Sequence, residues 1–242
     1  MNIIVTQDYD DLSYKAARHA AIFINNNPGA LICFAAGDTP LGTFRELVVM
    51  HDRGEVDLSS VYYVGLDEWV GLGIDDAGSC IKVMHDAIYD FVPKENVLMF
   101  DGLDPDTEGQ CRKTEAWIEK HSGIGYTLLG IGMNGHIGFN EPGTPDVEGC
   151  FTVVLDDTTK SVSKKYFGKE RPVTTGITIG WRTLYNTREA VLMANGKEKA
   201  PIAASALTGP CTPDIPASLF QNHPNLTVLL DKDAASLVDA KS

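Results

Sequence analysis

Tyr126-Thr127-Leu128-Leu129-Gly130-Ile131-Gly132-Met133-Asn134-Gly135-His136-Ile137-Gly138-Phe139-Asn140-Glu141-Pro142-Gly143 passes from a short apolar run directly into a glycine-rich turn bearing an imidazole and a carboxylate. Tyr126 to Leu129 reads as a buried strand. The turn then lies at the carboxyl edge of a parallel sheet, where open α/β folds bind ligands. Gly130, Gly132 and Gly135 also spell the dinucleotide pattern G-x-G-x-x-G, and Asp156 or Asp157 falls about 20 residues later, where a ribose-binding acid would stand. That motif needs a helix to begin inside the glycines. Pro142-Gly143 cuts the segment short, so the context disfavours a dinucleotide.

Outward from this stretch, further strand-like runs occur at Ala30 to Ala35, Val61 to Leu66, Val97 to Phe100, Ala190 to Ala194 and Leu226 to Leu230. They alternate with helical patterns at Asp10 to Ile24, Leu41 to His51, Cys80 to Phe91, Thr107 to His121 and Lys197 to Leu207. Pro201 predicts a late start or a kink in the last of these. The alternation predicts an α/β fold: a Rossmann-like three-layer sandwich, mostly parallel in its sheet, with helices on both faces. No Ser/Gly-rich or charged linker divides the 242 residues, so residues 1–242 are expected to form a single domain.

Composition narrows the function. A net charge of −13 and the lack of any Lys/Arg run oppose binding to nucleic acid or to an anionic membrane. No segment approaches the roughly 18 consecutive apolar residues of a membrane span. Met1-Asn2-Ile3-Ile4-Val5 lacks the basic region of a secretory signal and reads as a first strand. Cys33, Cys80, Cys111, Cys150 and Cys211 are scattered, odd in number and without a C-x-x-C pair, which argues against disulfides and zinc and for a reducing cytoplasm.

Three other places could carry chemistry. In Ala36-Gly37-Asp38-Thr39-Pro40-Leu41-Gly42-Thr43, Thr39 can cap a helix with Pro40 in its first turn, leaving backbone N–H groups free for a phosphate. Its bland reading is a capped helix, and without a Gly-Lys-Ser/Thr ending it is no nucleotide loop. Gly65-Leu66-Asp67-Glu68-Trp69-Val70-Gly71 sets two carboxylates at the same sheet edge. Adjacent side chains of extended chain diverge, so one should enter the cleft while the other meets solvent or a salt bridge. Lys164, Lys165, Arg171 and Lys199 are the cations that could complete a phosphate pocket. In the opening turn, His136 can move protons near neutral pH with Glu141 orienting it.

Ala36-Gly37-Asp38-Thr39-Pro40, Leu66-Asp67-Glu68-Trp69-Val70 and Gly135-His136-Ile137-Gly138-Phe139-Asn140-Glu141-Pro142-Gly143 resemble, in order, the three signatures of the glucosamine/galactosamine-6-phosphate deaminase (isomerase) family. The likeness extends from near residue 1 to about residue 237. Asp67-Glu68-Trp69, Gly78-Ser79-Cys80, Arg171-Pro172-Val173-Thr174-Thr175-Gly176-Ile177-Thr178 and Ile215-Pro216-Ala217-Ser218 are more similar to the galactosamine-6-phosphate branch. The resemblance implies release of ammonia from a 2-amino-2-deoxyhexose 6-phosphate with aldose-to-ketose isomerisation. Galactosamine 6-phosphate to tagatose 6-phosphate is favoured, and glucosamine 6-phosphate to fructose 6-phosphate comes next. His136 would open the sugar ring, Asp67 would move the C2 proton to C1, and Glu141 would hold the His136 tautomer. Gly37, Asp38 and Thr39, with Lys199 and a base from Lys164 to Arg171, would hold the phosphate. No metal or organic cofactor is implied, and homo-oligomers are compatible with the resemblance.

Two positions depart from the pattern. Asn134 stands where many members carry Asp, so it can accept a hydrogen bond but adds no charge behind the imidazole. Lys165 stands where many glucosamine-type members carry Arg; lysine lacks the bidentate phosphate contact, and Arg171 is the expected substitute. The competing readings are a 6-phosphogluconolactonase-like hydrolase and a non-catalytic sugar-phosphate sensor. The sensor reading would call for a DNA-binding module, and the chain has no basic helix for one.

Overall fold

The computed structural model describes residues 1–163, 167 and 173–238. In chain order the main elements are β1 (Asn2–Thr6), α1 (Tyr9–Asn26), β2 (Leu31–Phe34), α2 (Leu41–Asp52), β3 (Tyr62–Gly65), β4 (Asp67–Trp69), α3 (Cys80–Ala87), β5 (Val97–Leu98), α4 (Thr107–Lys120) and β6 (Ile124–Gly130). They are followed by β7 (Cys150–Val154), α5 (Asp157–Ser163), β8 (Thr175–Ile179), α6 (Trp181–Tyr185), β9 (Glu189–Ala194), α7 (Ala200–Thr208) and β10 (Leu226–Asp231). Seven strands make one wholly parallel sheet in the order β1-β10-β9-β6-β2-β3-β5.

Why these runs are strands is visible in their burial. In β2, all four residues are buried. Ile32 and Phe34 pack with Leu12, Ala16 and Phe23 of α1 and with Phe44 and Leu47 of α2. Leu31 and Cys33 belong to the opposite core, with Ala203 and Ala206 of α7 and with Phe220. A strand covered on both faces has no polar side to present, which is why the sequence shows continuous apolar runs. The three-layer α/β sandwich with helices on both faces is therefore the architecture. The N-terminal strand is also present, as β1 beside β10.

Two sequence expectations change and a third is met. The Val61–Leu66 run does not end at its carboxylates: past Leu66 the chain enters β4, which pairs antiparallel with β8, and β8 pairs with β7 in a separate three-stranded sheet. Asp-Glu-Trp is too short to display an alternating pattern, so this sheet was illegible. The helix expected over Cys80–Phe91 stops at Ala87, and Tyr89–Phe91 forms a 3₁₀ turn. The helix expected from Lys197 begins at Ala200 with Pro201 in its first turn, after a 3₁₀ turn over Lys197–Lys199. The proline has no N–H to miss there, in agreement with the predicted late start. No helix among the described residues is long and apolar enough to cross a membrane.

Candidate active site

At the carboxyl ends of β2, β3, β6 and β9 the sheet opens into a cavity of about 650 Å³. The short β4 and the glycine turn close it from the second sheet. Gly37, Asp38, Thr39, Asp67, His136 and Lys199 all line it, so motifs lying more than 150 residues apart in sequence, from Gly37 to Lys199, share one cleft. Lys164, Lys165 and Arg171 lie outside the described residues.

The glycine turn leaves β6 without starting a helix, which removes the structural context a dinucleotide fingerprint requires. Gly132 is needed for space: a Cβ there would lie 2.4 Å from the His136 ring. Gly138, at φ +55°, approaches Asp67 so closely that a Cβ would stand 3.2 Å from Oδ2. Asn140 is fully buried and knits the turn to the second sheet. Its Nδ2 donates to the Ile137 and Ile179 carbonyls at 2.8 and 2.9 Å, and its Oδ1 accepts the Trp181 N–H at 2.8 Å.

Within this frame His136 Nδ1 lies 3.4 Å from Glu141 Oε2 and 3.2 Å from Thr159 Oγ1. Burial alone would raise the Glu141 carboxyl, but His136, Thr159 and Asn134 together hold it below its ordinary value. An anionic Glu141 beside Nδ1 favours the tautomer whose Nε2 is free to act as a base. Asn134 joins the cluster: its amide donates to Glu141 Oε2 at 3.1 Å, and its Oδ1 accepts the backbone N–H of His136 at 3.2 Å. Thr159, delivered by α5, carried no signal in the sequence because its approach is purely tertiary.

Asp67 and Glu68 separate as the extended backbone requires, and only Asp67 lines the cavity. Among the described residues Glu68 meets neither solvent nor a cation, correcting the expectation. It is fully buried and accepts the backbone N–H groups of Trp69, Cys80 and Ile81 at 2.7, 3.0 and 2.7 Å, the last two being the first turn of α3. Burial pushes the Glu68 carboxyl up to about 7 against the pull of those three donors, with Asp67 adding repulsion. Asp67 is likewise raised to about 7, chiefly by burial and further by the charge of Glu141. The Cys80 thiol, 3.6 Å from Asp67 Oδ1, opposes that rise. Burial and the two carboxylates keep Cys80 neutral, so it serves as a donor. The wall beyond is apolar: Trp69 packs on Phe139 at 4.5 Å and edge-on to Phe167 at 5.4 Å.

At the opposite end, α2 starts at Leu41 with Pro40 at its cap and no side-chain capping bond, so Thr39 does not cap it. The loop is instead held from outside. The Tyr9 hydroxyl donates its proton between the Asp38 and Thr39 carbonyls, at 3.1 and 3.0 Å, and accepts the Gly42 N–H at 2.9 Å. Lys199 Nζ donates to the Ile131 carbonyl at 2.5 Å, placing its charge between the glycine turn and the 37–39 loop. A buried carboxylate near its proton-exchange point, an imidazole backed by a second carboxylate, and a backbone loop beside a lysine suit proton transfer on a small anionic substrate.

Comparison with known proteins agrees with this chemistry. Residues 7–229 match the family described as glucosamine-6-phosphate isomerases/6-phosphogluconolactonase. The glucosamine-6-phosphate deaminase of Thermoanaerobacter pseudethanolicus is 37% identical over 98% of this chain and 95% of its own length. The glucosamine-6-phosphate deaminase of Clostridium botulinum strain Kyoto is 34% identical over the full length of both. A solved structure of a monomeric glucosamine-6-phosphate deaminase superposes with a TM-score of 0.93 at 34% identity, over 98% of this chain and all of that one. The 6-phosphogluconolactonase of Trypanosoma brucei shares the fold, with a TM-score of 0.75 at 19% identity over 97% of each chain.

Proposed function

This chain belongs to the glucosamine-6-phosphate isomerase/6-phosphogluconolactonase family and is an enzyme, and we propose that it converts a 2-amino-2-deoxyhexose 6-phosphate and water into a ketohexose 6-phosphate and ammonia. The observation that carries this reading is the single cavity shared by Asp67, the His136–Glu141 pair, the 37–39 loop and Lys199.

In this reading the 37–39 backbone and Lys199 hold the phosphate, with Lys165 and Arg171 as further cations. His136 takes the anomeric hydroxyl proton and returns it to the ring oxygen, opening the pyranose. Glu141 stabilises the imidazolium formed on the way. Asp67 then removes the proton from C2 while the C1 aldehyde oxygen takes one from the C2 ammonium, giving a C1–C2 enolamine, and the proton held by Asp67 goes to C1 to leave an iminium at C2. Water adds at C2, ammonia departs, and the ketose remains. The substrate's own nitrogen stabilises each intermediate.

Relatives at 34–37% identity are named for glucosamine 6-phosphate, which makes it the leading substrate, with fructose 6-phosphate as product. Galactosamine 6-phosphate is the second reading, supported by the branch motifs and above all by Cys80, which stands in the cavity wall against Asp67. Incubating the protein with each sugar phosphate in parallel, while following ammonia and ketose phosphate, decides between them. Release of ammonia from neither, together with hydrolysis of 6-phosphogluconolactone, would replace the proposal with the lactonase reading. Binding without any turnover would leave the sensor.

A further inference from the structure

Behind the histidine, the Asn134 amide is held between two carboxylates. Nδ2 donates to Glu141 Oε2 at 3.1 Å and to Asp156 Oδ1 at 3.2 Å, and the Asp156 backbone N–H donates to Glu141 Oε1 at 3.3 Å. Asp156 Oδ1 also accepts the Thr158 N–H at 2.8 Å, capping α5, the helix that brings Thr159 to within 3.2 Å of His136 Nδ1. The Thr158 N–H and hydroxyl, with Asn134, hold the Asp156 carboxyl below its ordinary value, so it is an anion at neutral pH. One residue thus touches the histidine cluster by two routes, through Asn134 and through α5. Asp156 is one of the two acids that a dinucleotide pattern would have offered to a ribose, and here it bonds inward to the turn.

We propose that Asp156 is a positioning residue for His136: it fixes Asn134 and α5 around the ring and supplies a second negative charge behind the imidazolium. The inference rests on the reading in which His136 takes up and returns a proton. An outer carboxylate of this kind raises ring basicity without touching substrate. Among the described residues, the other charged groups around the ring are Glu141 at 3.4 Å and, lining the same cavity, Asp38, Asp67, Lys197, Glu198 and Lys199. None of these is altered by the substitutions below.

Asp156→Asn keeps an oxygen for the Asn134 amide and remains a good helix cap, so it removes charge while retaining shape. The His136 ring titration, followed by NMR, is expected to move to lower pH. The kcat for ammonia release should fall about tenfold with KM changed less than about twofold. Asn134→Asp combined with Asp156→Asn returns the lost charge to the cluster and should restore both the titration and most of kcat. An unchanged ring titration in Asp156→Asn overturns the proposal. So does a loss that the double variant fails to recover, because a residue that only caps α5 predicts no recovery. If the wild-type protein releases no ammonia from either amino sugar phosphate, the functional reading fails while the ring titration still decides the role of Asp156.

Discussion

In the proposed reaction, the environment of the single residue Asp67 bears on both activity and stability. Its carboxyl stands at about 7 against an ordinary 3.8, mainly through burial, and its basic form is the one that can take a proton from carbon. The kcat/KM should therefore rise with pH through about 7, and Asp67→Asn should lose at least about 10³-fold in turnover. A folded-state value raised above the unfolded one contributes stability that is complete below about 3.8 and lost as pH climbs through about 7. Asp67→Asn escapes that loss. Its melting temperature should match the wild type near pH 4 and exceed it at pH 8 by roughly 5–10 °C, corresponding to about 2–4 kcal/mol. Equal melting temperatures at pH 8 would show that Asp67 is not held at a cost. That Asp67 and His136 lie at one sheet edge was legible because each follows a strand run, and Glu141 stood out by its place in the same glycine turn as His136. Thr159 and Tyr9 were not, because each reaches the site from an element distant in sequence and only packing brings it there, and Cys80 stood out only as part of a branch motif, without its contact to Asp67.

Among the elements, the 37–42 segment depends on α1 more than on its own residues. A threonine followed by proline before a helix is an ordinary capping signal, yet Pro40 holds the cap position here and the Tyr9 hydroxyl supplies the polar contacts that Thr39 was expected to make. Tyr9→Phe removes three hydrogen bonds from the loop and nothing from Asp67 or His136. It should raise KM for the sugar phosphate about tenfold, equivalent to about 1.4 kcal/mol, with kcat within about twofold. Steady-state kinetics check it, and a fall in kcat at constant KM would mean that the loop does not hold the phosphate. The second sheet gives the same lesson at larger size. Parallel strands buried on both faces announce themselves as apolar runs, whereas β4 is three residues long and two of them are acids. Its existence follows from pairing with β8, which no local pattern discloses.

Across the molecule, the two sheets share one core. Leu66, Ile137, Ile177 and Ile179, which flank the glycine turn and the second sheet, pack in the same cluster as Leu129, Leu192 and Leu230 of the parallel sheet. Asn140 adds a buried polar tie across the join. The buried face of the second sheet, carried by Ile177 and Ile179, cannot be uncovered without opening the cluster it shares with the parallel sheet, so residues 1–242 should unfold as one cooperative unit. Calorimetry should give a single transition whose calorimetric and van't Hoff enthalpies agree, and two separable transitions would divide the chain into domains. Because the cavity walls come from both sheets, a ligand bound there should stabilise that one transition as a whole. A sugar phosphate at about 100 times its Kd should raise stability by about 2.7 kcal/mol, or roughly 5–10 °C. The same rise should fall to about half in Lys199→Ala at equal ligand concentration, because one charged donor to the phosphate is lost while the 37–39 backbone remains.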